Sequence, residues 1–492
     1  MRPTIWHKEN FCQLLQKKFS GQLIITVSNR EPYIHYHGGN EIKCQAAVGG
    51  VTSALDPAMR AINGVWIAHG GGDADRETVT SQNKLMVPPD DPLYTLKRVW
   101  LKEKDFRGYY HGFSNQALWP LCHSAYVPPV FDRSHWNKYK KVNNIFARNI
   151  LGEAQGRKAV VFIQDYHFSL LPRMIKKTNP AATLAQFWHI PWPHSQKLRI
   201  CPWHEEILDG LLGNDLLGFH TSIHCHNFLD AASSLKGAKV DYKNGEITWK
   251  GRMTRVRPFP ISVDFEQLSQ DMQKDEVEEE FKRLKDRLGI KDEIIIISID
   301  RVDYTKGIPQ RMLALNRFLC DYPEYKEKLV LIQTGTPSRT DIPSYENLGQ
   351  EIIRLTEWIN QKHGSETWKP VITLPGPLLP LTLTALEGKA DICIISSLDD
   401  GMNLVAKEYV ASHVNNEGVL LLSSFTGAAK ELKHSIKINP FAPDLFAKAI
   451  KDAIEMPAAE KRRRMKGDRD IIRKNNIYKW AADIFLELSR PR

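Results

Sequence analysis

The feature that most constrains the fold is an alternation. Short apolar runs take turns with longer helical stretches along the whole chain, and the runs fall into two series. "QLIITVSN" (22–29), "GVWIAHGG" (64–71), "AVVFIQDYH" (159–167), "TLAQFWHIPWP" (183–193) and "NDLLGFHT" (214–221) form the first. "EIIIISID" (293–300), "KLVLIQTG" (328–335), "PVITLPG" (370–376), "ADICIISSL" (390–398) and "GVLLLSSFTG" (418–427) form the second. Helical segments such as "EVEEEFKRLKDRLG" (276–289) and "YENLGQEIIRLTEWINQKHG" (345–364) lie between them. A short apolar run closed by turn residues reads as a buried strand, and strand–helix alternation predicts parallel sheets with helices on both faces. Two series in 492 residues predict an α/β protein with two doubly wound domains. The join is expected near "RVRPFPISVDFEQ" (255–267), where prolines break the pattern, which gives domains 1–262 and 263–474. "YKWAADIFLELSR" (478–490) reads as a final amphipathic helix.

The remaining bulk features exclude more than they select. No apolar run approaches the roughly 20 residues that cross a bilayer, and the first 21 residues lack a signal-peptide core, so the reading is no membrane and a cytoplasmic location. Seven cysteines without a CxxC pair predict reduced thiols. The net charge of +10 is compatible with nucleic acid or anionic substrates. The densest basic cluster, "KRRRMKGDRDIIRK" (461–474), lacks interleaved aromatics and reads as a solvated helix face, so no nucleic-acid partner is expected. "HTSIHCHNF" (220–228) puts His220 and His224 at i, i+4, as on one helix face, beside Cys225 and His226. No second cluster completes a metal site, and none is expected there.

In open α/β sheets ligands bind outside the carboxyl ends of the strands. "RVDYTKG" (301–307) places Arg301 and Lys306 in one loop after a strand, which suits a diphosphate; a pair of solvated surface cations is the alternative. "SSLDDGMNLVAKEY" (396–409) places Asp400 and Gly401 before a helix whose N-terminus can bind phosphate. Glu408 falls about two turns into that helix, placed for ribose hydroxyls or as a surface residue, and Asp400 can also serve as a plain N-cap. "AAVGGVTSAL" (46–55) carries Gly49 and Gly50, where backbone can approach a phosphate. His189 in "FWHIPWP" and Asp165 in "IQDYHF" end two further strands. Either could hold a sugar hydroxyl, the His as a donor, or be structural.

"VSNR" (27–30), "AVGG", "YYHGFSNQALWP" (109–120), "QDYH", "HIPWP", "LLGNDLLGFHT" (211–221), "DRVDYTKG", "TPSR" (336–339) and "DDGMNLVAKEY" occur in this order. Together they resemble the trehalose-6-phosphate synthase family of glycosyltransferases, from about residue 22 to about 490. The resemblance implies a GT-B fold, two Rossmann-like domains facing a cleft. A C-terminal helix, about 475–492, crosses back to the N-terminal domain. It implies retaining transfer of glucose from UDP-glucose, or another nucleotide-glucose, to glucose 6-phosphate. Arg301 and Lys306 would clamp the donor diphosphate, with Leu404 and Val405 near the phosphates and Gly50 approaching from the other domain. Asp400 and the backbone after Gly401 would hold the glucosyl hydroxyls, and Glu408 the ribose. His189 would meet the transferred sugar, and Asp165 would align the sugars. Arg30, Tyr110, Trp119 and Arg339 match the family's acceptor-phosphate set. No cofactor and no essential metal are implied. "GDAD" (72–75) resembles a metal-binding DxD, but Asp73 and Asp75 read as loop or cap residues. Closure of the domains on both substrates follows from the division of the site. A separate trehalose-phosphate phosphatase is expected downstream, since no phosphatase segment follows residue 490, and a homo-oligomer is allowed.

Two departures stand on the acceptor side. Glu31 in "SNREPY" occupies a position that is often apolar in the family, and "GVWIAHGGGDADRETVT" (64–80) is long and polar. An Arg-Glu-Pro start also resembles glucosylglycerol-phosphate synthases, which makes glycerol 3-phosphate the alternative acceptor. A non-catalytic regulator is a further alternative, disfavoured because Arg301, Lys306, Asp400 and Glu408 are all present.

Overall fold

The computed structural model describes residues 5–46, 52, 55–56, 59–60 and 62–490. All ten apolar runs contain strands. The chain divides into two compact units. One is Ser262–Asn476; the other contains the described residues up to Ile261 and those from Ile477 onward.

The N-terminal unit is built on a ten-stranded sheet. Its parallel centre comprises β1 (Leu23–Arg30), β4 (Val65–His69), β6 (Tyr94–Val99), β7 (Ala159–Gln164), β8 (Thr183–Phe187), β9 (Leu216–Phe219) and β12 (Arg252–Pro258). The edges are antiparallel additions: β5 (Lys84–Val87) beside β6, and β10 (Lys239–Asp241) with β11 (Glu246–Trp249) beside β12. The order β10-β11-β12-β9-β8-β7-β1-β4-β6-β5 changes direction at β1, so β1 and β7 flank a topological switch point. A separate hairpin joins β2 (Tyr33–Gly38) to β3 (Glu41–Ala46) across Gly39-Asn40.

The C-terminal unit is a six-stranded all-parallel sheet. Its strands are β13 (Ile294–Arg301), β14 (Leu329–Thr336), β15 (Val371–Pro375), β16 (Ile392–Ile395), β17 (Val419–Ser423) and β18 (Ile436–Ile438). Their order is β15-β14-β13-β16-β17-β18. This is the 3-2-1-4-5-6 arrangement of a Rossmann sheet, with its switch point between β13 and β16. The Ile and Leu runs of β13, β14, β16 and β17 are buried on both faces, and helices such as Ile308–Asp321 and Pro443–Ile454 pack Phe318, Leu315, Phe446 and Ile450 against the sheet.

The helix Ile477–Leu488 belongs to the N-terminal unit. Phe485 sits against Phe11, Phe19 and Phe162 with ring centroids 5.9, 5.5 and 5.8 Å away, and Trp480 meets Phe187 edge-on at 5.2 Å. Arg257 Nε pairs with Glu487 at 3.1 Å. Its apolar stripe, visible as an amphipathic pattern, is thus covered by the first helix, Lys8–Phe19, and the central strands.

Among the described residues no helix is long and apolar enough to cross a membrane. All seven cysteines are free thiols. The basic cluster lies on the helix Ala458–Lys474, where Arg463 and Arg464 pair with Glu460 and Arg469 donates to the carbonyls of Val410 and Ala411.

Candidate functional site

In the C-terminal unit the charged loops meet at the switch point. β13 ends at Arg301, and the chain turns through Asp303 to Gly307 before the helix Ile308–Asp321. Gly307 has φ +63°, and a Cβ there would stand 2.2 Å from the Ser396 carbonyl oxygen. Only glycine lets this loop lie on the loop after β16. Lys306 Nζ donates to Asp400 Oδ2 at 2.6 Å, and the same oxygen accepts from Asn403 Nδ2 at 3.2 Å and Ser397 Oγ at 3.3 Å. The backbone of Asp400 is fixed to the end of β17. Its N–H donates to Phe425 O and its carbonyl accepts from Gly427 N. A Cβ at Gly427 would lie 2.0 Å from Gly401 O.

Two expectations change here. The N-cap of the helix Leu404–Ser412 is Asn403, whose side chain accepts from Ala406 N at 2.9 Å, so Asp400 is not a plain cap. Because the helix starts at Leu404, Glu408 is its fifth residue, just over one turn in rather than two. Leu404 and Val405 occupy the first turn, where amide N–H groups point outward and the dipole favours anions. Burial pushes the Glu408 carboxyl up to about 7, and the neighbouring Glu387, buried on the helix Pro380–Lys389, is pushed well above the carboxylate range.

Beneath these loops lies a buried guanidinium that the sequence did not announce. Arg311 is fully buried. It donates to Asp300 Oδ2 at 2.7 Å, Ser396 Oγ at 2.7 Å and Gln333 Oε1 at 2.5 Å. Ser396 Oγ in turn donates to the carbonyls of Lys306 and Gly307. One side chain therefore ties the ends of β13, β14 and β16 together under Lys306. Arg339, with φ +52°, pairs with Asp303 Oδ2 at 3.1 Å and donates to the Tyr345 hydroxyl, while Thr305 N and Oγ1 donate to Asp303 Oδ1.

In the N-terminal unit Arg30 closes β1, and its Nη2 lies 3.4 Å from the Tyr110 hydroxyl. Tyr110 sits on a π-helix, Arg107–Leu118, a form often found at functional sites. Its ring stacks on His167 at 5.7 Å and on Phe106 at 5.1 Å. Gly112 of that helix faces His135, where a Cβ would lie 2.5 Å from the imidazole. Trp119 follows directly, its ring 4.3 Å from His123 and 5.8 Å from Tyr166. Asp165, at φ +71° after β7, accepts from Tyr166 N at 2.9 Å and His189 N at 3.2 Å. His189 Nε2 is engaged by Gln164 Oε1 at 2.9 Å, so that nitrogen is not a spare donor. Burial lowers the imidazole to about 3, which keeps the ring neutral. The structure thus joins Asp165 with His189 and Arg30 with Tyr110. Gly50 lies outside the described residues.

His220 and His224 do not share a helix face. The helix Ser222–Ser233 begins after His220, which instead donates to the His189 carbonyl at 3.0 Å. Among the described residues no group of three or more His, Cys, Asp or Glu is placed to hold a metal ion. Asp75 and Asp73 are loop residues: Asp75 accepts from Gly72 N and His35 N, and Asp73 from His37 N.

Two Rossmann-like units with charged loops at the carboxyl ends of their strands define the GT-B class of glycosyltransferases. The chain belongs to glycosyltransferase family 20, whose model matches residues 22–490. It is 36% identical over 461 residues to the trehalose-6-phosphate synthase of Mycobacterium avium, covering 90% of this chain and 91% of that one. It is 35% identical over 476 residues to the bifunctional trehalose-6-phosphate synthase/phosphatase of Thermoproteus tenax, covering 94% of this chain but only 63% of that relative's length. A solved trehalose-6-phosphate structure from E. coli, bound with UDP-2-fluoro glucose, superposes with TM-score 0.85 at 30% identity, covering 96% and 100% of the two chains. The UDP-forming α,α-trehalose-phosphate synthase of Burkholderia xenovorans in complex with glucose-6-phosphate gives TM-score 0.84 at 28% identity, covering 95% and 100%.

Proposed function

We propose that this protein is an α,α-trehalose-6-phosphate synthase that transfers glucose with retention from UDP-glucose to glucose 6-phosphate. The observation that carries the reading is the Lys306–Asp400 pair beside the N-terminus of Leu404–Ser412, in the switch-point loop that Arg301 opens at the end of β13. Two cations and a helix N-terminus suit a leaving diphosphate, and a fixed carboxylate suits sugar hydroxyls. The similarity to proteins solved with UDP-2-fluoro glucose and with glucose-6-phosphate supports the same two substrates.

In this reading the glucosyl C1–O bond breaks toward the diphosphate, which keeps the bonding electrons. Arg301, Lys306 and the amides at Leu404 and Val405 neutralise that charge. The acceptor hydroxyl forms the new C1–O bond on the same face and gives its proton to a leaving-phosphate oxygen. Asp400 and the backbone at Gly401 hold the glucosyl hydroxyls, and Glu408 takes the ribose. The neutral His189, fixed through Gln164 and Asp165, orients the transferred sugar as a hydrogen-bonding group and carries no proton in the step. Arg30, Tyr110, Trp119 and Arg339 bind the acceptor phosphate. Lys306 exchanges its Asp400 partner for the diphosphate, which frees the carboxylate for the sugar. The seven free thiols suit a cytoplasmic setting.

The case for glycerol 3-phosphate weakens on inspection of Glu31. That carboxyl is buried and bound to Arg98, so its departure from the family pattern has a structural cause. The test is turnover of UDP-, ADP- and GDP-glucose against glucose 6-phosphate and glycerol 3-phosphate, with chelator present. UDP-glucose with glucose 6-phosphate is expected to be the productive pair; turnover only with glycerol 3-phosphate would reject the reading.

A further inference from the structure

Directly after Arg30 the chain enters a buried ionic cluster that the reaction does not use. Arg98 on β6 is fully buried, as are Asp75 and, nearly so, Glu31. Its Nε donates to Glu31 Oε2 at 2.6 Å. Its Nη1 donates to the Asp75 carbonyl at 2.8 Å and to Thr78 Oγ1 at 2.7 Å. Its Nη2 reaches Asp75 Oδ1 at 2.7 Å, His35 Nδ1 at 2.8 Å and the Tyr33 carbonyl at 3.0 Å. Every N–H of the guanidinium is engaged. The far oxygen of Glu31 accepts from Gly71 N at 2.9 Å, and Asp75 accepts from Gly72 N at 2.6 Å. A Cβ at Gly72 would stand 2.2 Å from the His35 carbonyl, so the polar loop 70–78 closes onto the hairpin only with glycine there.

The cluster ties four segments together: the end of β1, the β2–β3 hairpin, the loop 70–78 and β6. Arg30, the last residue of β1, immediately precedes Glu31. The pairing of β1 with β4 shifts register between Val27 and Arg30, so the last residues of β1 are not fixed by the ladder alone. They are fixed by side chains. Trp66 Nε1 donates to Ser28 Oγ at 2.8 Å, Ser28 Oγ donates to the Arg30 carbonyl at 2.5 Å, and the next residue is Glu31.

We propose that Glu31, held by Arg98 and Asp75, is a positioning residue that sets where Arg30 presents its guanidinium, and so sets the affinity for the phosphorylated acceptor. The inference rests on the assignment of Arg30 to the acceptor phosphate. Burial and a hydrogen bond to Asp75 push the Glu31 carboxyl up to about 8, while Asp75 is held below the usual carboxylate range. The titratable and charged groups around it are Asp75, Arg98, His35 and Cys44. At neutral pH one guanidinium therefore faces one carboxylate and one neutral acid. Above pH 8 it faces two carboxylates, and the loop after β1 loosens. A sugar phosphate, with its second pKa near 6, does not change charge in that range.

The test is steady-state kinetics with both substrates from pH 7 to 9.5. Glu31→Ala is expected to raise KM for glucose 6-phosphate about tenfold, with KM for UDP-glucose within about threefold. Glu31→Gln removes the titration; its amide nitrogen can donate to Asp75 as the acid does but gives up one of the two N–H bonds that Glu31 accepts. It is expected to lose the rise in acceptor KM that the wild type shows above pH 8. Arg30→Ala is the control for the underlying assignment. If Arg30→Ala leaves the acceptor KM unchanged, the phosphate reading of Arg30 fails and takes this inference with it. If Arg30→Ala raises the acceptor KM but Glu31→Gln keeps the alkaline rise, or Glu31→Ala shifts both KM values equally, the inference alone is overturned. Should Glu31→Ala not fold, the pH profile of Glu31→Gln decides.

Discussion

Replacing Arg311 with methionine keeps the volume of a long side chain and deletes the charge under the donor loops. Wild-type Arg311 has no solvent exposure and three strong partners: Asp300, Ser396 and Gln333. The Asp300 carboxylate, 3% exposed, is left buried without its cation. Removing one partner of a buried ion pair costs about 3–5 kcal/mol. With a urea m-value of about 2–3 kcal/mol/M, the unfolding midpoint falls by roughly 1–2.5 M. Burial already raises the Asp300 carboxyl, and losing the guanidinium raises it further. A carboxyl raised in the folded state contributes stability below its unfolded value, near 3.8, that is lost as pH rises through its folded value. The deficit of the variant should therefore shrink in acid. Asp300→Asn in the same chain should recover a good part of the loss at neutral pH, because no bare charge remains. Urea unfolding of the single and double variants at pH 7 and pH 5 measures all of this. A loss below about 1 kcal/mol at pH 7, or no recovery in the double variant, would refute the claim that Arg311 and Asp300 act as one buried pair.

Lys306→Met removes a cation from the diphosphate and the partner of Asp400; kcat/KM for transfer from UDP-glucose should fall about 10²–10³-fold, measured by UDP release. Glu387→Gln removes a buried carboxyl raised above its unfolded value near 4.5, so the variant should gain stability over wild type, and the gain should grow from pH 5 to pH 8, as denaturant midpoints will show. Phe485→Ala opens the contact of the last helix with Phe11, Phe19 and Phe162; it should cost about 3–5 kcal/mol in unfolding experiments.

Much of the fold was legible because its signals are local. Fully buried parallel strands read as unbroken Ile, Val and Leu runs, and each one found in sequence is a strand. The antiparallel additions were less visible. β5, β10 and β11 are only three or four residues long, and in the hairpin β2–β3 every residue of β3 is exposed, so neither gives a long apolar run. The π-helix Arg107–Leu118 packs Gly108 and Gly112 against Lys138 and His135, contacts between residues distant in sequence that no local pattern announces.

The candidate site was legible where a strand end carries a charge, as at Arg301, Asp165 and Arg30. It was illegible where function depends on pairs distant in sequence. Nothing in "RVDYTKG" or "DDGMN" says that Lys306 and Asp400 touch, or that Arg311 holds both loops from below. Glu31 is the clearest case. In sequence it looked like a change of acceptor, and only Arg98, 67 residues away, shows it to be a buried partner.

The most direct test of the central claim is the structure of the product. The purified protein is incubated with UDP-glucose and glucose 6-phosphate carrying ¹³C at both anomeric carbons, and the product is read by NMR and mass. The account predicts a disaccharide monophosphate with both anomeric centres α and joined to each other. A β-linkage, a bond to any other acceptor position, or release of free glucose would contradict it.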